Sequence, residues 1–130
     1  MKLISKFFNK KLPVINIIRM SGIISSGSRF PSSSHLSLEG LEKQIERAFE
    51  GKKVSGVAIV INSPGGSPVQ SALISERILE LSKKNNIPVF AFVEDVAASG
   101  GYWLACAADE IFVMPASIVG SIGVISAGFG

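Results

Sequence analysis

The sequence is short of the residues that most often carry chemistry. It holds one cysteine, Cys106, and one histidine, His35, in 130 residues. A single cysteine excludes a disulfide framework and a cysteine-based metal cluster. A single histidine, in the loop-like run Ser32-Ser33-Ser34-His35, leaves no metal site to recognise, and no cofactor is expected. Lysine, arginine and histidine are all absent after Lys84, so a nucleophile in the second half of the chain has no basic partner downstream of it. Acidic residues are missing from residues 1–30, which carry Lys2, Lys6, Lys10, Lys11, Arg19 and Arg29. The remaining hundred residues are net acidic, so the overall charge of +3 belongs to the N-terminal arm. No basic stripe with interleaved aromatics follows, and no nucleic-acid partner is expected. No apolar run reaches transmembrane length. Val14-Ile15-Asn16-Ile17-Ile18 is broken by Asn16, closed by Arg19 and lacks a small-residue cleavage site, so it does not read as a secretory signal.

What is present is a hydrophobic content of 47%, enough for a real core in one domain. Residues 1–12 form a basic arm. Leu3, Ile4, Phe7 and Phe8 would share one face of a short amphipathic helix, suited to an anionic membrane surface. So short a helix is marginal in water, and a frayed tail is the alternative. Leu12 to Met20 reads as a strand and Ser25 to Ser34 as a loop. Ser37 can cap a helix reaching about Glu50, with Leu38, Leu41, Ile45, Ala48 and Phe49 at helical spacing and Gly51 as the stop. Val54 to Ile61 reads as a second strand. Ser67, Pro68 and Gln70 look like a capping box with proline at the first helical position, opening a helix to about Lys84. Ile87 to Val93 reads as a third strand, Tyr102 to Ala108 as a buried helix with Cys106 in the core, and Ile111 to Met114 as a fourth strand. Ile118 to Val124 is an apolar segment punctuated by glycine.

Strands alternating with helices, with strands almost continuously apolar, predict an α/β fold with a parallel sheet covered on both faces. Ligands in such folds bind beyond the carboxyl ends of the strands. Two glycine turns fall there, Ser63-Pro64-Gly65-Gly66 and Ala97-Ala98-Ser99-Gly100-Gly101. Ser99 sits where a strand turns into a helix, so its hydroxyl is either an exposed nucleophile or a helix cap. The start of a helix also favours an oxyanion forming beside it. Backbone N–H groups of Gly66 and Gly100 could hold that oxyanion. A serine nucleophile needs a base. His35 lies far upstream, Glu94 and Asp95 precede the turn, and Asp109 and Glu110 are expected to face solvent. Lys52, Lys53, Lys83 and Lys84 fall at helix ends away from the turns. The residues supply a nucleophile and an oxyanion hole, and no base.

Val60-Ile61-Asn62-Ser63-Pro64-Gly65-Gly66, then Ala97-Ala98-Ser99-Gly100-Gly101-Tyr102, then Val119-Gly120-Ser121-Ile122-Gly123-Val124 resemble, in this order, the signal peptide peptidase A (SppA/SohB-like) family. The likeness runs from about Pro13 to the end. It implies a Clp/crotonase-like fold with repeated βα units, residues 13–130 being the N-terminal part of one peptidase domain. It implies a Ser-Lys peptidase acting on signal-peptide remnants or other apolar peptides, with Ser99 as nucleophile, Gly66 and Gly100 as oxyanion donors, and Ser121 orienting the lysine. In that family the lysine lies beyond the Gly-Ser-Ile-Gly motif, so this chain is expected to lack it and to be inactive alone. The resemblance also implies a peptide substrate, a homo-oligomer when complete, and a bacterial location in the cytoplasm or at the periphery of the inner membrane. Two alternatives stand beside it. One is a crotonase-like enzyme acting on acyl-CoA, which needs the two donors and no attacking serine. The other is a catalytically dead assembly or binding module.

Overall fold

The structure is a computed structural model, and it describes residues 12–27 and 35–123. The basic arm expected over residues 1–12 lies, apart from Leu12, outside the described residues. Among the described residues, seven strands and three helices follow in order: β1 Val14–Ser21, β2 Ile23–Ile24, β3 His35–Leu36, α1 Leu38–Ala48, β4 Val54–Ser63, α2 Pro68–Asn85, β5 Val89–Ala98, α3 Gly100–Ala105, β6 Glu110–Val113 and β7 Ile118–Gly120.

Every strand pairing among the described residues is parallel. The main sheet runs β1-β4-β5-β6, and β7 also pairs with β5. Strands β6 and β7 lie end to end on one edge of β5, the first against Phe90 to Val93 and the second against Val96 to Ala98. The turn between them is pinned to β5 by Ser117, whose hydroxyl donates to the Glu94 carbonyl at 2.6 Å and accepts from the Met114 N–H at 3.1 Å. Strands β2 and β3 form a separate two-stranded pair. Their four residues carry no alternation long enough to announce a strand.

The period of two decides which face holds the core. Ile18 and Met20 of β1, Val57, Ile59 and Ile61 of β4, and Val89, Ala91 and Val93 of β5 share one face and are buried. Helices α1 and α2 cover that face with Leu41, Ile45, Ile74, Ile78 and Leu81. Burying side chains of this size contributes roughly 1.5–3 kcal/mol each. The opposite face carries Ile15, Ile17, Phe92 and Phe112, with Ile17 64% and Phe112 44% exposed. Phe92 and Phe112 stack there at 5.0 Å between ring centroids. The expectation of a sheet covered on both faces is therefore corrected: among the described residues only one face is covered. Continuous apolar strands report that burial is wanted, not where the covering layer comes from.

The caps follow the sequence with one change. Ser37 accepts from the Gly40 N–H at 3.2 Å and opens α1. Ser67 accepts from the Gln70 N–H at 3.3 Å and opens α2, with Pro68 in the first turn. Gln70 does not reach back to close the box. Its carbonyl oxygen accepts from the Leu38 N–H at 2.9 Å, so α2 caps α1. The two helices are also joined by Arg77 of α2, which pairs with Glu46 of α1 at 2.5 Å and with Glu80 at 2.8 Å.

Two further expectations change. Strand β5 runs on to Ala98, five residues past the predicted end, because Asn62 repairs the irregularity that Glu94 and Asp95 introduce. Its side-chain amide donates to Asp95 at 2.9 Å and its carbonyl oxygen accepts from the Val96 N–H at 3.2 Å, where the register of β4 on β5 shifts. Cys106 is exposed, not a core residue, because α3 ends at Ala105, one position before it. Asp109, exposed as expected, is nonetheless engaged: its carboxylate accepts from the Val89 N–H at 2.8 Å and holds the start of β5.

Candidate active site

The parallel sheet brings the C-terminal ends of β4, β5 and β7 to the same end of the molecule. Three turns meet there, at Ser63 to Ser67, at Ala98 to Gly101 and at Gly120 to Gly123.

The first turn is set by its own atoms. Ser63 is fully buried, and its hydroxyl accepts from the Gly65 N–H at 3.1 Å. Gly66, at φ 145°, bridges to Ile24, with the Ile24 N–H donating to the Gly65 carbonyl at 2.9 Å and the Ser67 N–H to the Ile24 carbonyl at 2.7 Å. Both bonds use the neighbours of Gly66. In a parallel bridge this leaves the N–H of Gly66 itself on the other edge. A Cβ at Gly66 would collide with the Ile24 carbonyl, so no larger residue fits this path.

The second turn carries the strain. Ser99 has φ 52° and ψ −120°. A non-glycine residue in such a region costs on the order of 1–3 kcal/mol and is held only by its surroundings. Here the Ser99 N–H donates to the Gly120 carbonyl at 2.9 Å, and the Ser99 carbonyl accepts from the Trp103 N–H at 3.1 Å. Gly65 lies directly against this turn: a Cβ there would stand 2.7 Å from the Gly100 nitrogen and 2.9 Å from the Ser99 Cβ. The Ser99 hydroxyl makes no cap bond to α3. The helix-cap alternative is thereby removed. The helix itself is six residues long, so the individual N–H groups at its start, rather than a long aligned dipole, are what it offers an anion.

The third turn follows β7. Ser121, with φ 54°, comes directly after Gly120, whose carbonyl holds Ser99.

These turns enclose a cavity of about 230 Å³. Ser99, Gly66, Gly100 and Ser121 all line it, so the four residues singled out in the sequence are brought together. Its remaining walls are Pro68, Tyr102, Trp103, Cys106, Ile122 and Gly123. Tyr102 and Trp103 come from α3, and Cys106 directly follows its last residue, lining the cavity rather than lying under it. No lysine, arginine, histidine or carboxylate is among these lining residues. No group of three metal-binding side chains occurs among the described residues.

The ionisable residues near Ser99 in sequence are committed elsewhere. Glu94 pairs with Arg19 at 2.6 Å on the uncovered face, and Asp95 takes the Asn62 amide. His35 sits in β3 beside Ile23 and does not line the cavity. Lys52 and Lys53 precede β4, while Lys83 and Lys84 end α2 before β5. Strand β5 is ten residues long, about 33 Å at 3.3 Å per residue, and it separates that end of the sheet from Ser99.

The sequence reading named Asn62 and Ser63 only as parts of a turn motif and passed over Ser71 and Ser117; the four side chains hydrogen-bond the backbone in or beside the turns. Asn62-Ser63 closing an apolar strand, and Ser71 within the apolar stripe of α2, were the available signals.

The chain is similar to known proteins to different extents. Residues 81–129 match the profile of peptidase family S49. A serine protease SPPA, chloroplastic, of Arabidopsis thaliana is 40% identical over 117 residues, covering 88% of this chain and 17% of that protein. A protein of Brucella melitensis named as a Na(+)/H(+) antiporter NhaA is 50% identical over 131 residues, covering 99% of this chain and 17% of that protein. No helix among the described residues is long and apolar enough to cross a membrane. The chain thus spans about a sixth of the length of these curated relatives. A solved structure of a membrane-bound stomatin-specific protease, in a mutant form, gives a TM-score of 0.62 at 20% identity, over 90% of this chain and 53% of that one. That likeness shows the fold, an α/β Clp/crotonase-like architecture with a parallel sheet. The profile match falls across Ser99 and Ser121, so the stretch that carries both serines matches peptidase family S49 and is similar to the SppA/protease 4/SohB-like serine peptidases.

Proposed function

We propose that this chain contributes the nucleophile and oxyanion hole of a serine peptidase that cleaves apolar peptides. Ser99 attacks the peptide carbonyl carbon. The carbonyl oxygen gains negative charge and is held by the N–H groups of Gly66 and Gly100. The proton of the Ser99 hydroxyl passes to a base and from it to the leaving amine as the tetrahedral adduct collapses to an acyl-enzyme, an ester that water then hydrolyses to restore the hydroxyl. Preorganised donors of this kind are worth about 10²–10³-fold each.

The observation that carries the reading is the backbone of Ser99. Its φ and ψ disfavour serine, its hydroxyl is not spent on a cap, and it opens into the same cavity as both glycines. A crotonase-like enzyme would need the donors and not the strained serine. The uncharged lining suits an extended peptide with small or apolar side chains beside the scissile bond, as signal-peptide remnants have. The proton acceptor comes from outside the described residues. The family resemblance puts a lysine in that role with Ser121 as its partner. A general base contributes about 10²–10⁴-fold, so Ser99 reacts slowly until that group arrives.

The test is labelling with a serine-reactive phosphonate. Ser99 should be modified slowly, modification should speed up when a small primary amine is added as a substitute base, and Ser99→Ala should remain unlabelled. Equal labelling of the Ser99→Ala protein would remove Ser99 from the mechanism.

A further inference from the structure

We propose that Ser71 is a positioning residue that sets the separation of the two backbone donors at Gly66 and Gly100. The inference rests on the reading of Ser99 and its oxyanion hole given above. Ser71 lies one turn into α2 and is fully buried. Its hydroxyl donates to the Ser67 carbonyl at 2.8 Å, and its N–H donates to the same oxygen at 3.0 Å. Ser67 is the residue directly after Gly66. On its other side Ser71 bears on Gly100: a Cβ built on that glycine would collide with the Ser71 hydroxyl oxygen and stand 3.4 Å from its Cβ. One side chain therefore touches both turns, tied to the first by a hydrogen bond and pressed on the second by contact. Ile24 completes the wedge, with its carbonyl against Gly66 and its Cδ1 3.1 Å from a Cβ placed on Gly100.

Helix stability does not ask for serine here. The flanking buried positions of α2 are Ile74, Ser75, Ile78 and Leu81, and alanine is the better helix former. A serine bonding back to the preceding turn slightly destabilises a helix and often bends it. What serine provides is a short, satisfied polar group of fixed reach. Two donors acting on one oxygen must hold their spacing to a fraction of an ångström. Removing one outright costs about 10²–10³-fold, so displacing one should cost about tenfold.

The experiment compares two ligands of the same apolar peptide sequence. A peptide boronic acid forms a tetrahedral anion on Ser99 and reads the oxyanion hole. The corresponding unreactive peptide amide reads ground-state binding alone. In Ser71→Ala, which removes the spacer, affinity for the boronate should fall about tenfold while affinity for the amide stays unchanged. Ser71→Cys, which keeps a side chain there but puts a larger sulfur against Gly100, should show the same split and decides the matter if the alanine variant does not fold. Equal affinity of wild type and both variants for the boronate overturns the proposal. So does a parallel loss for both ligands, which would mark a merely structural role. If the wild type binds the boronate no better than Ser99→Ala does, the reading of Ser99 fails and this inference falls with it.

Discussion

The amide of Ser99 is hydrogen-bonded to the carbonyl of Gly120 at 2.9 Å, so the strained turn is closed by the segment that carries Ser121. The end of β7 thus helps to hold Ser99 in its unfavourable backbone conformation.

Strain at Ser99 should be visible as stability. Glycine adopts φ 52°, ψ −120° without the Cβ penalty, which is on the order of 1–3 kcal/mol, while its extra unfolded-state entropy takes back about 0.5–1 kcal/mol. Ser99→Gly should therefore raise the denaturation midpoint relative to Ser99→Ala by a net ~1 kcal/mol, and both should lose phosphonate labelling. A glycine variant less stable than the alanine variant would show that the turn is not strained.

Close approach of α3 to β4 gives a second outcome. A Cβ at Gly101 would meet the buried Ser63 carbonyl, which is backbone and cannot swing aside. Gly101→Ala should destabilise the protein by about 1–3 kcal/mol, as overpacking does. Gly27→Ala, where nothing stands within 4 Å of the new Cβ, is the control and should leave urea unfolding unchanged.

Arg77 couples α1 to α2 through exposed carboxylates. The hydrogen bonds it donates to Glu80, then to Glu46, hold its pKa above the ordinary guanidinium value, so it stays charged at every working pH. The exposure of its carboxylate partners, rather than of Arg77 itself, makes the cluster a weak and screenable contribution. Arg77→Met should lower the thermal midpoint slightly at low salt. The difference should vanish at about 1 M salt, where the Debye length is roughly 3 Å. A large loss that persists in salt would assign Arg77 a packing role instead.

Cys106 offers the simplest check on α3. Its exposed thiol should react with one equivalent of a chromogenic disulfide reagent under native conditions, at a rate similar to that in denaturant. Protection until unfolding would restore it to the core. Because Cys106 lines the cavity, a bulky adduct there should also slow labelling of Ser99.

Much of the fold was legible because its signals are local. Ser37 and Ser67 cap the helices that they precede, and Leu41 and Ile45 announce the buried stripe of α1 by spacing alone. The glycine turns could be placed at one end of the molecule because a parallel sheet puts like ends together. What was not legible depends on partners distant in sequence. The extension of β5 through Glu94 and Asp95 rests on Asn62, more than thirty residues away. The position of Cys106 turns on where a six-residue helix stops, and periodicity has no resolution at that length. Gln70 has the right spacing for a capping box, but Leu38 competes for it from another helix. The conformation of Ser99 could be suspected from Gly100 and Gly101, but its hydroxyl's freedom from capping follows from the folded turn, which no local pattern fixes.

Ser117 has a consequence for alignment. Strands β6 and β7 share one edge of β5, and a shared edge invites a strand to slide along it. A slip of one residue would carry β7 about 3.3 Å and turn its side chains to the opposite side of the sheet. Ser121 would then no longer face the cavity that it shares with Ser99. The Ser117 hydroxyl on the Glu94 carbonyl forbids the slip, working as an index pin between two scales. A residue with no part in the chemistry thus sets the zero from which the position of Ser121 is counted.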